Sequence, residues 1–310
     1  MPRLSPRTYQ RVTLMALIAL CFIVVSGAAV RLTGSGLGCP DWPTCAEGQV
    51  IAPLEYNAMI EFVNRLVTGV VSAAVMLAVL GSLVRTPRRR DLTVLSLGLV
   101  AGVLAQIVWG GLVVLSDLYP PLVIGHFLIS MALLLNAAVL HHRAAQADAP
   151  PTLVVEVRTA RLLRALLVAA AIVIILGTVV SGSGPHSGSH EGEIIQRLPF
   201  AAEDAARLHG IAVMAFLALT LFAIRSLRVT AAPRLLLRRA EVLLAVLVAQ
   251  AAVGYTQYFT GVPPLLVGVH VAGAVAVWLS VVRLKLATTE RVALAESAED
   301  LGGPTALTTA

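Results

Sequence analysis

Apolar positions along this chain do not alternate with polar ones at the period of a strand or of an amphipathic helix. They run together. Eight long apolar stretches occur, near 12–32, 62–84, 92–115, 122–142, 161–181, 204–226, 238–259 and 264–285. Each is about the 20 residues that an α-helix needs to cross the hydrocarbon of a bilayer. Few show a polar face, as expected where lipid and neighbouring helices are both apolar. The pattern predicts an all-α integral membrane protein with eight transmembrane helices. Basic residues before the first run and the small residues of "SGAA" within it resemble a signal peptide. A similar segment recurs inside the chain, so the first run is read as a retained helix.

Composition agrees with the pattern. The 310 residues are 58% hydrophobic and 13% charged, against about 25% charged in ordinary soluble domains. The mean hydropathy is +0.87. Charge then sets the orientation. Arg3, Arg7 and Arg11 precede the first run, and Arg85, Arg88, Arg89 and Arg90 lie between the second and third. Arg143, Arg158, Arg161 and Arg164 lie around the fourth–fifth connection, and Arg225, Arg228, Arg234, Arg238 and Arg239 around the sixth–seventh. Arg283 and Lys285 end the eighth. Lys and Arg mark cytoplasmic loops, so both termini are predicted to be cytoplasmic, in a multi-pass protein of the cell membrane. The pI of about 9.8 is thereby a topology signal, and no nucleic-acid partner is implied.

The chain reads twice. "LAQIVWGGLVVLSDLYPPLVIGH" (104–126) is similar to "VAQAAVGYTQYFTGVPPLLVGVH" (248–270), and twenty residues separate Gln106 from His126 and Gln250 from His270. "EFVNRLVTG" in the second run aligns with "AARLHGIAV" in the sixth, pairing Asn64 with His209. Two duplicated four-helix bundles follow, with 1–145 as the first half, 146–160 as a cytoplasmic linker, 161–286 as the second half and 287–310 as a disordered tail. Each half begins and ends on the same side, so the repeat is parallel. Parallel repeats also build transporters, so this alone does not decide function.

Ionisable residues inside spans are functional candidates. His126, His209 and His270 all fall in the first turns of helices that run inward from the outer side, at similar depth. A pair of imidazoles from two helices of one bundle, here His209 and His270, suits bis-axial haem ligation. Hydrogen-bonded core histidines are the plainer alternative. Zinc would need further ligands near each pair. In the first half Asn64 stands where the second has His209, leaving His126 as the one strong donor. That half adds Glu61 and Arg65, which an i,i+4 ion pair would also explain. The functional reading is a division of labour: a six-coordinate haem for electron transfer in the second half, and in the first one firm ligand, an open position and a carboxylate able to move protons.

The remaining candidates carry less. Cys39 and Cys45, in "GSGLGCPDWPTC", fall in an outer loop where disulfides persist. A disulfide is favoured there over a metal site. Cys21 reads as a small core residue. The "GSGLG" glycines follow no strand and do not read as a phosphate cradle. His141 and His142 mark the cytoplasmic boundary, while His186 and His190 read as solvated loop residues, or else as groups that guide a haem propionate or substitute for the missing ligand. Trp42, Trp109, Tyr119, Tyr255 and Tyr258 fall where interfacial aromatics gather. Gln106 and Gln250 are expected to hydrogen-bond between helices.

"TGSGLGCPDWPTC", "EFVNR", "PPLVIGH", "RLHG" and "PPLLVGVH" together resemble the haem A synthase family, across essentially the whole span region. The resemblance is to the bacterial type with one cysteine pair in the first outer loop. It implies an oxidoreductase that takes the C8 methyl of haem O to formyl by successive hydroxylations, giving haem A for terminal oxidases. It further implies haem b as cofactor on His209 and His270, and substrate haem near His126, Asn64 and Arg65 with Glu61 at the reacting site. The Cys39–Cys45 pair would be the family's structural or redox-active disulfide. A haem O synthase and an electron donor of unknown identity would be partners. Many members have His-Arg where this chain has Asn64-Arg65, which bears on how the substrate iron is held. Some also carry a second cysteine pair between the fifth and sixth spans, absent here. A non-catalytic membrane cytochrome b and a haem carrier or transporter are the alternatives.

Overall fold

The computed structural model describes residues 3–46, 48, 51–189 and 196–291. Among them are eight long helices: α1 (Pro6–Leu32), α2 (Tyr56–Val84), α3 (Arg90–Leu115), α4 (Pro120–Ala144), α5 (Val157–Ser183), α6 (Ala202–Val229), α7 (Arg234–Phe259) and α8 (Pro264–Leu286). Each covers one predicted apolar run and continues past it by a fraction of a turn to two turns. Seven are long and apolar enough to cross a membrane. The eighth, α7, is not among the seven. It starts with Arg234, Arg238, Arg239 and Glu241 and ends among Thr256 and Gln257. The protein is an all-helical integral membrane protein.

The ends of the helices follow from local chemistry. Pro6, Pro120 and Pro264 open α1, α4 and α8, where the missing N–H costs nothing and φ is already helical. Ser5 caps α1 by accepting from the Thr8 N–H at 3.2 Å. The turns before α4 and α8 share an unusual backbone. Asp117 and Leu118 have φ of 52° and 59°, and Gly261 and Val262 have φ of 78° and 59°. Two consecutive residues in the left-handed region reverse the chain within a few residues. The proline-led helix then starts at once.

α1 packs on α2 and α4, and α3 packs on the same two helices. In the same pattern α5 packs on α6 and α8, and α7 on α6 and α8. Two four-helix bundles result, joined where α1 and α4 meet α8 and α4 meets α5. Buried side chains from all eight helices, among them Leu20, Val75, Leu99, Leu134, Leu166, Phe216, Leu243 and Val281, form one continuous core. Met15, Phe22, Val70, Leu104, Ile172, Phe222 and Val248 point outward and stay exposed, the arrangement for helices whose outer faces meet lipid. Trp278 of α8 ties the bundles, its indole N–H donating to the Met131 carbonyl of α4 at 2.9 Å.

Two short strands form, one in the linker between the bundles and one after α8, where the sequence predicted a disordered tail. β1 (Thr152–Leu153) pairs antiparallel with β2 (Thr289–Glu290). The first residues after α8 are therefore held by main-chain bonds. The rest of the tail, 292–310, lies outside the described residues.

Candidate functional site

At the end of the molecule opposite β1 and β2, three histidines come to similar positions in the helix frame. Each imidazole lies against a glycine of the adjoining helix. A Cβ added at Gly110 of α3 would sit 3.3 Å from His126 Cε1. At Gly254 of α7 it would sit 3.1 Å from His270 Cε1, and at Gly177 of α5 3.1 Å from His209 Cε1. The missing side chain makes room for a ring inside the bundle. Glutamines fix the histidine backbones: Gln106 donates to the His126 carbonyl at 2.9 Å and Gln250 to the His270 carbonyl at 2.7 Å. This is the interhelical role the sequence suggested, with a defined target.

His209 and His270 come from α6 and α8, which face each other across the second bundle. Their ring centroids are 6.4 Å apart at an interplanar angle of 73°. His209 Nδ1 donates to the Val173 carbonyl at 3.1 Å, which leaves Nε2 as the free lone pair. His270 Nδ1 is buried without a hydrogen-bond partner. Two imidazoles each bound to one iron at about 2 Å place their ring centres roughly 6 Å apart. No group of three or more His, Cys, Asp or Glu suited to a metal ion occurs among the described residues. A macrocycle that brings its own equatorial donors fits this two-ligand set.

The first bundle has the same frame with different occupants. His126 is half-buried and its Nδ1 has no hydrogen-bond partner. Opposite on α2, Asn64 takes the place of His209, and its Oδ1 accepts from Ser26 of α1 at 2.7 Å. Glu61, one turn earlier, is 6% exposed and is the one buried carboxylate side chain among the described residues. Its Oε1 accepts from Arg65 Nη2 at 2.6 Å and from Nε at 3.1 Å, and its Oε2 accepts from the Cys39 N–H at 2.8 Å. Arg65 also donates to the carbonyls of Cys39, Asp41 and Thr44 at 2.9–3.1 Å. The pair is thus the i,i+4 ion pair that the spacing allowed, and it also clamps the loop above.

That loop is closed by a disulfide between Cys39 and Cys45, both buried. Gly38 lies so close to the Asn57 backbone that no side chain would fit there. Cys21 is a free thiol in the middle of α1.

The loops at this end join across the two bundles, which the sequence did not reveal. Arg31, at the end of α1, donates from Nε to the His186 carbonyl at 2.8 Å and from Nη1 to Ser181 Oγ at 2.7 Å. Gly36 N–H donates to the Gly188 carbonyl at 2.8 Å. His186 was read as solvated, but its Nε2 donates to the Val262 carbonyl at 2.7 Å, so it fastens the loop after α5 to the turn before α8. His190 lies outside the described residues. Trp109 is more than a boundary aromatic: its indole packs on Gly125 and donates to the Leu122 carbonyl at 2.7 Å. Trp42 packs on Gly111. Tyr119, Tyr255 and Tyr258 are exposed near helix ends, as expected of interfacial residues. At the opposite end, His141 pairs with Thr13 of α1 at 3.1 Å, and His142 Nε2 is buried without a partner.

Comparison with known proteins places this arrangement. The family model COX15-CtaA, described as cytochrome oxidase assembly protein, matches residues 10–59 and 51–282. A haem A synthase of Shouchella clausii (strain KSM-K16) is 35% identical over 150 residues, 46% of this chain and 47% of that protein. One from Exiguobacterium sibiricum is 34% identical over 125 residues, 39% of this chain and 42% of that protein. One from Bacillus licheniformis is 42% identical over 53 residues, 17% of each. The chain spans less than half the length of each of these relatives. The family match, in contrast, runs from α1 to α8 and takes in every histidine, the carboxylate and the disulfide of the site, and the chain belongs to the cytochrome oxidase assembly protein family.

Proposed function

We propose that the protein is a haem A synthase, oxidising the C8 methyl of haem O to formyl. The observation that carries this reading is the asymmetry between two like frames. The second bundle has an imidazole pair with centroids 6.4 Å apart, and the first has a single imidazole with a buried carboxylate beside it. An electron carrier needs only the first kind of site. Oxidation of a bound macrocycle needs a second site that differs.

In this reading the two bundles are a duplication in parallel. Support comes from their matching helix pairings, the matched left-handed turns and the matched Gln-to-His backbone bonds. His209 and His270 hold haem b, which when bound supplies one-electron transfer. His126 holds the substrate, haem O. Glu61 is the group that moves protons at the substrate, and its bond to the Cys39 N–H couples it to the outer loop. Arg65 holds that carboxylate in place through two hydrogen bonds and gathers the loop above it. The disulfide end faces outward and the arginine-rich end the cytoplasm, in the cell membrane. Haem O synthase and a separate electron donor complete the system.

The experiment is to co-express the protein with a haem O synthase, purify it and identify the extracted haems by chromatography and mass spectrometry. Haem A or its hydroxymethyl precursor beside haem b is expected. His209→Ala and His270→Ala should abolish the low-spin haem b spectrum. Glu61→Gln should keep that spectrum and lose the oxidised haem. Haem b alone, with haem O present and unchanged, would instead favour a membrane cytochrome b.

A further inference from the structure

Asn64 stands where the second bundle has a haem ligand, and the structure shows how this chain has arranged its surroundings. Three imidazoles at this level each rest on a glycine of a neighbouring helix: His126 on Gly110, His270 on Gly254 and His209 on Gly177. Asn64 breaks the series. It is held from α1 by a hydroxyl, with Ser26 Oγ donating to Asn64 Oδ1 at 2.7 Å. The next residue of α1 is Gly27, and nothing lies within 4 Å of where its Cβ would stand. So α1 presents a small-residue surface here, as α5 does to His209, but no ring rests on it. With Oδ1 accepting from Ser26, the amide Nδ2 of Asn64 keeps its donor capacity. No hydrogen bond from it is seen among the described residues.

An amide oxygen is a poor ligand for haem iron beside an imidazole, and this one is already accepting a hydrogen bond. An Nδ2–H donor is suited instead to a small ligand on the open side of the iron. We propose that the first bundle holds its haem through His126 alone, five-coordinate, and that Asn64 is a positioning residue. Oriented by Ser26, it offers an N–H to whatever small molecule occupies the open side. This rests on the reading that the first bundle receives haem O. On that reading the first bundle would offer its haem one imidazole, and the second would offer the His209–His270 pair.

The test uses the full chain purified after co-expression with a haem O synthase, with resonance Raman and electron paramagnetic resonance as readouts. The low-spin haem b signal reports that each variant is folded. Wild type should show, beside that signal, a five-coordinate high-spin haem at about one per low-spin haem. Added imidazole should convert that haem to low spin. Asn64→His should be low-spin at both haems and no longer respond to imidazole. Asn64→Leu should stay five-coordinate and high-spin, with a carbon monoxide stretch shifted from that of wild type by loss of the amide donor. His126→Ala should lose the high-spin signal.

Three results would overturn the inference: a low-spin first-bundle haem in wild type, a change from six- to five-coordinate on Asn64→Leu, or an unshifted carbon monoxide stretch. Haem b alone, with no second haem bound and His126→Ala silent, would overturn the proposed function, and the inference with it. That outcome is distinct from the other three.

Discussion

Gly254 and Gly210 sit in neighbouring parts of the second bundle, yet their substitutions should differ completely. A Cβ at Gly254 would stand 3.1 Å from His270 Cε1, whereas one at Gly210 meets nothing within 4 Å. Gly254→Val would therefore push the His270 ring and disturb its 6.4 Å centroid separation from His209. If His209 and His270 hold haem b as proposed, loss of its low-spin spectrum is expected for Gly254→Val and an unchanged spectrum for Gly210→Ala, although Gly210 adjoins His209 in sequence. Such glycines give no sign of their role in a sequence with 24 of them. The histidines were legible because an ionisable residue in an apolar run is conspicuous. The glycine that receives each ring lies on another helix, and only packing identifies it.

At the scale of an element, the disulfide-closed loop between α1 and α2 is built on one side chain. Arg65 reaches three of its carbonyls and pairs with Glu61, whose side chain is 7% exposed. Removing one partner of a buried pair leaves an uncompensated charge, at a cost of about 3 kcal/mol. Arg65→Ala is expected to destabilise the protein by about that amount, measured by thermal unfolding in detergent. The double variant Arg65→Ala with Glu61→Gln should recover part of the loss, since the buried charge goes too. Full additivity of the two changes would mean that the pair is not coupled. The sequence offered the ion pair through its i,i+4 spacing. It could not show that the guanidinium also gathers the disulfide loop, because those acceptors are main-chain carbonyls, which every residue carries.

At the scale of the molecule, the two bundles are fastened at two levels. Within the core, Trp278 donates to Met131. At the disulfide end, Arg31 and Gly36 reach the loop after α5, and His186 carries the connection on to Val262. Trp278→Phe keeps an aromatic ring but removes the N–H and part of the indole's buried volume. It should cost more than the about 0.6 kcal/mol usual for a hydrogen bond between helices in a membrane, because buried packing is lost as well. Arg31→Ala removes bonds to Ser181 and His186 together and should cost more. Both are read from unfolding in detergent, and a larger effect for Trp278→Phe would show that the core contact dominates the joint between the bundles.

The sequence by itself determined the number and approximate positions of the helices, because twenty apolar residues between polar ends admit few structures in lipid. It determined the matched positions of Gln106 with Gln250 and His126 with His270, because their spacings survive in the chain. The tertiary structure alone decided what the exceptions mean. Asn64 is bonded to Ser26, thirty-eight residues away, and His186 is bonded to Val262, seventy-six away. The strands β1 and β2 pair across the whole second bundle. Each of these depends on which surfaces meet when the helices pack, and local pattern carries no record of that. A hydrogen bond also leaves little trace when one partner is a backbone carbonyl or a common hydroxyl. The sequence thus announces the buried histidines, while the surfaces that orient them appear only when the bundle closes.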